Sequence, residues 1–187
     1  INADISQSNG CKSYINGAIF PMNDSLDLKF KTQKINVGFM LPFMSAFAKE
    51  VSGYASGNAR LWGKFKTIDM TGDIYAEDLK LKIDFTNTYY TATDSVHLKP
   101  GYIGFKDVEL TDAYGNNALL GGYLKHTCFK RPEFEFNITK AHNFLSYDET
   151  PERNPIWHGR IFGNGEASVK GKPGEVNITV DMATAPK

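Results

Sequence analysis

Four histidines (His97, His126, His142 and His158) and two cysteines (Cys11 and Cys128) are the side chains of this chain best suited to hold a soft or borderline metal. Zinc sites draw on ligands at short spacing, as in His-x-x-x-His, Glu-x-x-His or Cys-x-x-Cys. None of these spacings occurs here. His126 and Cys128 share a parity on one strand-like run, where two half-buried side chains explain them better than ligation does. There is no Gly-x-Ser-x-Gly elbow to present a nucleophile and no phosphate-binding loop. Gly163-Asn-Gly165 lies between strand-like runs and reads as a bulge or bend rather than a nucleotide cradle. Asp112-Ala-Tyr-Gly115-Asn116 carries too few carboxylates for a calcium loop and reads as a hairpin turn. Acidic residues are scattered, so no pair can be nominated as acid and base. Trp62 and Trp157 suit a sugar-stacking platform or ordinary packing. The sequons at Asn23, Asn137 and Asn177 are unremarkable in a chain rich in Thr and Asn. The expectation is a protein without catalysis, without a cofactor and without a bound metal.

The elements that must position any site are strands. Apolar residues recur at every second position over many short runs. Leu26, Leu28 and Phe30 alternate with Asp27 and Lys29; Ile35, Val37, Phe39 and Leu41 form a second run. Leu79, Leu81, Ile83 and Phe85 alternate with Lys80, Lys82 and Asp84. Further runs are Val96 and Leu98; Ile103 and Phe105; Phe134, Phe136 and Ile138; and Val176, Ile178, Val180 and Met182. Turn chemistry separates them at Asn23-Asp24, Thr71-Gly72-Asp73, Lys99-Pro100-Gly101, Asp112 to Asn116, and Lys172-Pro173-Gly174. About a dozen antiparallel strands are expected. One stretch departs from the pattern. Pro42 to Val51 places Phe43, Phe47 and Val51 at helical spacing, with Pro42 suited to a first turn and Gly53 to a stop, which predicts a short helix. Gly17, Gly63, Gly72, Gly122, Gly159, Gly163 and Gly171 interrupt good strand sequence and imply sharp curvature or close backbone approach.

The chain has 187 residues, 21 basic and 21 acidic, with 41% hydrophobic and 13% aromatic content. That is enough for a sizeable core. A neutral chain with no basic block excludes nucleic acid as a natural partner, because phosphate attraction needs clustered positive charge. No apolar run approaches the roughly 18 residues of a membrane helix. The chain opens at Ile1 within strand-like sequence, as expected of a piece of a longer protein. Cys11 and Cys128 form one disulfide in an oxidising compartment or remain two buried thiols.

Residues 57–71 and 165–179 repeat one pattern at an offset of 108 (165 − 57) without a gap. Gly57/Gly165, Ala59/Ala167, Gly63/Gly171, Lys64/Lys172 and Thr71/Thr179 are identical; Leu61/Val169, Ile68/Val176 and Met70/Ile178 stay apolar. A repeated hairpin points to a layered or elongated β structure, here one unit over residues 1–187.

The ordered series Gly53-x-x-x-Gly57, Leu61-x-Gly63, Met70-Thr-Gly72, Asn87-Thr-x-Tyr90, Asp112-x-x-Gly115-Asn116, Gly122-x-Leu124-x-His126, Phe144-Leu145 and Gly165-x-x-x-Val169-x-Gly171 resembles the C-terminal region of TamB-like translocation and assembly proteins, with a Bacteroidetes flavour. The resemblance covers nearly the whole chain, most firmly from Val51 to Ala183. It implies an all-β, curled, mostly antiparallel sheet, a β-taco with an apolar interior. It also implies a periplasmic segment of an envelope protein anchored in the inner membrane. The apolar groove would assist phospholipid transport, outer-membrane protein assembly or both. The implied partners are lipid acyl chains or nascent outer-membrane β-strands, with an Omp85-type outer-membrane protein (TamA- or BamA-like) meeting the full-length chain. The family has no catalytic residues to carry over. The alternatives are a compact β-sandwich binding carbohydrate or another ligand, and a purely structural spacer. On the groove hypothesis the lining comprises the apolar residues of the alternating runs, from Leu26 to Val180.

Overall fold

Long runs of alternating side chains, punctuated by short turns, leave the backbone one economical solution, an up-and-down meander. The computed structural model describes residues 2–6, 12–45, 47–127 and 130–185. It contains eleven strands: β1 (Asn2–Ser6), β2 (Lys12–Phe20), β3 (Ser25–Asn36), β4 (Ala48–Lys64), β5 (Asp69–Ile83), β6 (Thr88–Lys99), β7 (Tyr102–Asp112), β8 (Asn117–Thr127), β9 (Lys130–Glu149), β10 (Gly159–Lys172) and β11 (Glu175–Thr184). They form a single sheet in chain order, and each neighbouring pair is antiparallel. β1 and β11 are the two edges and do not pair with each other, so the sheet is open. Cys11 and Cys128 lie outside the described residues.

The repeated hairpin folds the same way twice. Leu61 faces Met70 across β4 and β5, and Val169 faces Ile178 across β10 and β11. Gly57 and Gly165 share an environment as well: a Cβ would stand 2.2 Å from the Asp73 carbonyl oxygen in one copy and 2.3 Å from that of Asp181 in the other. No side chain fits such a gap, and the φ angles of 149° and 142° are ones only glycine adopts freely.

Among the described residues, six strand residues other than glycine hold positive φ: Lys34 (53°), Asp78 (51°), Asp107 (53°), Arg131 (51°), Lys140 (53°) and Asn143 (48°). Each coincides with a register shift, as in a β-bulge. A bulge inserts one residue and so reverses the parity of everything beyond it. Ile74 and Ala76 occupy even positions on β5, whereas Leu79, Leu81 and Ile83 occupy odd ones; the bulge at Asp78 keeps them on one face. Lys34 does the same for Phe30 and Ile35, which pair with Ala59 and Ala55 of β4. Extra residues on the curled strands also increase twist, and the sheet bends until distant strands meet. Phe47, just before β4, packs on Phe134 and Phe136 of β9 with ring centroids 5.3 and 5.2 Å apart.

Three expectations are corrected. The turn expected at Thr71-Gly72-Asp73 lies inside β5, where these residues pair with Arg60, Ala59 and Asn58 of β4, and the chain reverses earlier, at residues 65–67. The strand run through Ile35, Val37, Phe39 and Leu41 ends at Asn36, and Val37–Met40 forms a 3-10 turn. The Asn36 side chain accepts the Gly38 N–H at 2.8 Å and so offers the backbone an alternative to the ladder. The helix expected over Pro42 to Val51 is a single turn, α1 (Leu41–Met44). Val51 instead lies in β4 opposite Leu81, because tertiary strand pairing outweighs a weak local helical spacing.

Candidate functional site

One row of side chains crosses all eleven strands. Ala3 of β1 faces Ile15, which faces Phe30, then Ala59, Gly72, Leu98, Ile103, Leu124, Phe134, Gly171 and finally Val176 of β11. Directly opposed residues share a face, and every residue in this row is apolar or glycine. One position along each strand from β2 to β11, the adjacent row runs Tyr14, Lys31, Asn58, Asp73, His97, Gly104, Tyr123, Glu135, Lys170 and Asn177. These two neighbouring rows, on opposite faces of the sheet, carry opposite chemistry. With strands about 4.8 Å apart, the apolar row is about 48 Å long.

The alternating runs fall on this apolar face with four exceptions. Leu26, Leu28 and Phe30 are partly buried on β3, and Ile35 follows beyond the Lys34 bulge. Leu79, Leu81 and Ile83 are partly buried on β5, as are Val96 and Leu98 on β6 and Ile103 and Phe105 on β7. Phe134 is fully buried, with Phe136 and Ile138 beside it. Val176, Ile178 and Val180 stay 40–60% exposed on the edge strand β11. The exceptions are Val37 and Phe39, carried by the 3-10 turn, Leu41, which begins α1, and Phe85, which falls in the β5–β6 turn and is 69% exposed. The residue after Ile83 begins that turn, so period 2 no longer governs Phe85.

The face is filled along part of its length. Tyr90, Leu110, Ala118, Ala141 and Phe144 form a buried cluster joined by Ile83, Ala92, Leu120, Ile138 and Met182. The Tyr90 and Phe144 rings stack at 4.9 Å and 12°. A second filled patch holds Phe47, Phe105, Phe134 and Phe136. Period 2 alone does not pick out Leu110, Ala141 or Phe144, because bulges at Asp107, Lys140 and Asn143 interrupt their runs; a strand residue of turn-forming type (Asp or Asn) was the signal available.

A polar clasp closes this cluster. The Tyr90 hydroxyl donates to the Leu145 carbonyl at 2.8 Å, and the Leu145 N–H donates to Asp112 Oδ2 at 2.7 Å. Asp112, 5% exposed, also accepts the backbone N–H groups of Tyr114 and Asn116 and the Asn116 side-chain amide. Burial opposes its charge, but the hydrogen bonds from Asn116, Leu145 and Tyr114 outweigh it and hold the carboxyl below its ordinary range. Burial, with the Asp112 charge nearby, pushes the Tyr90 phenol up to about 12 against the contrary pull of Thr88, so Tyr90 remains a donor. The Asp112–Asn116 segment is a hairpin turn, with Gly115 N–H donating to the Asp112 carbonyl at 3.2 Å.

The polar face carries surface ion pairs such as Arg60–Asp27, Lys34–Glu77 and Lys170–Glu135. Exposed pairs of this kind contribute little to stability. Of the histidines, His97 pairs with Asp73 at 2.6 Å, and burial pulls His126 down against the opposing charge of Asp69. Among the described residues no three His, Cys, Asp or Glu side chains gather as metal ligands would. Trp62 lies on β4 and Trp157 in the β9–β10 connection, so the two tryptophans sit on elements five strands apart in the sheet. No helix among the described residues is long and apolar enough to cross a membrane.

Comparison with protein-family models, with curated proteins and with solved structures finds no match to this chain.

Proposed function

We propose that this chain is a non-catalytic segment of a TamB-like envelope protein whose apolar face shelters acyl chains, or nascent outer-membrane strands, on their way between membranes. The unbroken apolar row from Ala3 to Val176 carries this reading. The accessible surface of 11550 Å² supports it, since a globular monomer of 20.8 kDa exposes about 8,900 Å². The proposed setting is the periplasm, with the parent protein anchored in the inner membrane and meeting an Omp85-type partner.

Physics limits what such a face must do. A lipid tail leaving a bilayer loses about 0.8 kcal/mol for every CH₂ exposed to water, or about 8 kcal/mol for ten. A groove as apolar as the bilayer removes that barrier without binding tightly. A neutral chain with no basic block suits cargo chosen by its tail rather than its headgroup. A closed structural spacer is favoured instead by the buried Phe134 and Phe144 clusters, which fill part of the same face.

Photocrosslinking amino acids at Leu28 and Leu61, on the β3–β4 wall, and at Phe134 in the filled patch separate the two. Lipid adducts at Leu28 and Leu61 in living cells, with none at Phe134, are expected of the conduit. Absence of adducts at all three, together with unfolding of Leu28→Arg through its unpaired buried charge, would establish the spacer.

A further inference from the structure

The opposite, polar face carries a depression of about 420 Å³ across β2–β5, within the size range of small-ligand sites. Two cross-strand rows line it. One is Asn16, Lys29, Arg60 and Thr71; the other is Tyr14, Lys31, Asn58 and Asp73. In a chain of zero net charge, this patch gathers three cations, Lys29, Lys31 and Arg60, against Asp73 in the lining and Asp27 beside it.

The cations are crowded, with Asp27 as their shared counter-charge. Lys29 lies directly opposite Arg60, and like charges in that position repel. Lys31 is two residues from Lys29 on the same face, about 7 Å away. Arg60 is engaged by Asp27 through two hydrogen bonds of 2.8 and 2.6 Å. Asp73 is taken by His97 at 2.6 Å. No ion pair among the described residues engages Lys29 or Lys31. Lys29 shares the field of Asp27 with Arg60, and Lys31, exposed beside it, leaves the depression with a net positive charge. An anion between Lys29, Lys31 and the Arg60 edge would convert their repulsion into charge-assisted hydrogen bonds.

Tyr14, Asn58 and Thr71 decide what the anion is attached to. A primary amide and a hydroxyl offer donors and acceptors together, which suits the hydroxyl groups of a sugar. Tyr14, 42% exposed, provides an aromatic surface for a sugar ring. We infer that this depression binds an acidic sugar, with Lys29 and Lys31 holding its carboxylate or phosphate and the Tyr14, Asn58 and Thr71 side chains holding its ring. The site lies on the face opposite the apolar row, so it stands whether or not that row carries lipid.

Calorimetric titration of the whole chain tests this with three probes: trigalacturonate, the neutral galactose trimer of the same length, and inorganic phosphate. Trigalacturonate is expected to bind, the neutral trimer not to, and phosphate at least tenfold more weakly than trigalacturonate. Lys29→Ala and Lys31→Ala are each expected to weaken trigalacturonate binding about tenfold or more, as loss of a charged hydrogen bond does. Thermal unfolding of both variants should match the parent chain, since both side chains are exposed. Failure of trigalacturonate to bind at millimolar concentration, or binding unchanged in both variants, overturns the site. Phosphate binding as tight as that of trigalacturonate reduces it to a bare anion patch and overturns the sugar assignment.

Discussion

Replacing Asp112 by alanine removes the acceptor for three backbone N–H groups and one side-chain amide. The losses are unequal. Tyr114 is 52% exposed, and its N–H lies in a surface turn where water can replace the carboxylate. Leu145 is 1% exposed, so the N–H that Asp112 accepts at 2.7 Å is left without that partner away from water. An orphaned buried donor costs about 1–3 kcal/mol, and a lost bond to a charged group about 1.5–3. About 3 kcal/mol is therefore expected for Asp112→Ala. At about 2–4 °C per kcal/mol for a chain of this length, that lowers Tm by about 6–12 °C.

Acid should erase the difference. The hydrogen bonds hold the folded-state carboxyl of Asp112 below its unfolded value, despite burial. Such a group contributes stability fully above the unfolded carboxylate range and loses it as pH falls through the folded-state value. Parent and variant, melted by circular dichroism from pH 7 downward, should differ most at neutral pH and converge in acid. A variant within 1 °C of the parent at pH 7, or a gap that persists unchanged in acid, would refute the clasp.

Two paired substitutions test the rest of the fold. Gly122 has φ 126° and a Cβ there would stand 2.0 Å from the Glu135 carbonyl oxygen, whereas Gly121 has nothing within 4 Å; Gly122→Ala should lower the urea midpoint sharply through backbone strain of about 1–3 kcal/mol or more, and Gly121→Ala should leave it nearly unchanged. Phe134→Ala, at a fully buried position, should cost about 3–5 kcal/mol by chemical denaturation. Phe85→Ala, at a 69% exposed turn position, should stay within about 0.5 kcal/mol; an effect as large as that of Phe134→Ala would mean the turn is packed in solution.

Alternation along Leu26 to Phe30, Leu79 to Ile83 and Phe134 to Ile138 made those strands legible, because period 2 is a local property of extended backbone and needs no knowledge of neighbours. The glycines were legible for a related reason: at Gly17, Gly57 and Gly122 a cross-strand carbonyl occupies the space of a Cβ, and only one residue type can stand there. The internal repeat likewise preserved its register, since Leu61–Met70 and Val169–Ile178 pair identically. Where alternation changes phase was not legible. Bulges at Lys34, Asp78, Asp107 and Lys140 require positive φ, which Lys adopts only when the partner strand compels it and which Asp adopts readily enough that its presence alone fixes no bulge. The helical spacing from Pro42 to Val51 failed because pairing with β5 claimed Val51, and the run through Val37 and Phe39 failed because Asn36 turned the chain first. Which stretch of the apolar face is filled depends on curvature summed over eleven strands. Phe47 meets Phe134, and Tyr90 meets Leu145, only because the sheet bends far enough to bring them together, a global quantity that no local window of residues contains.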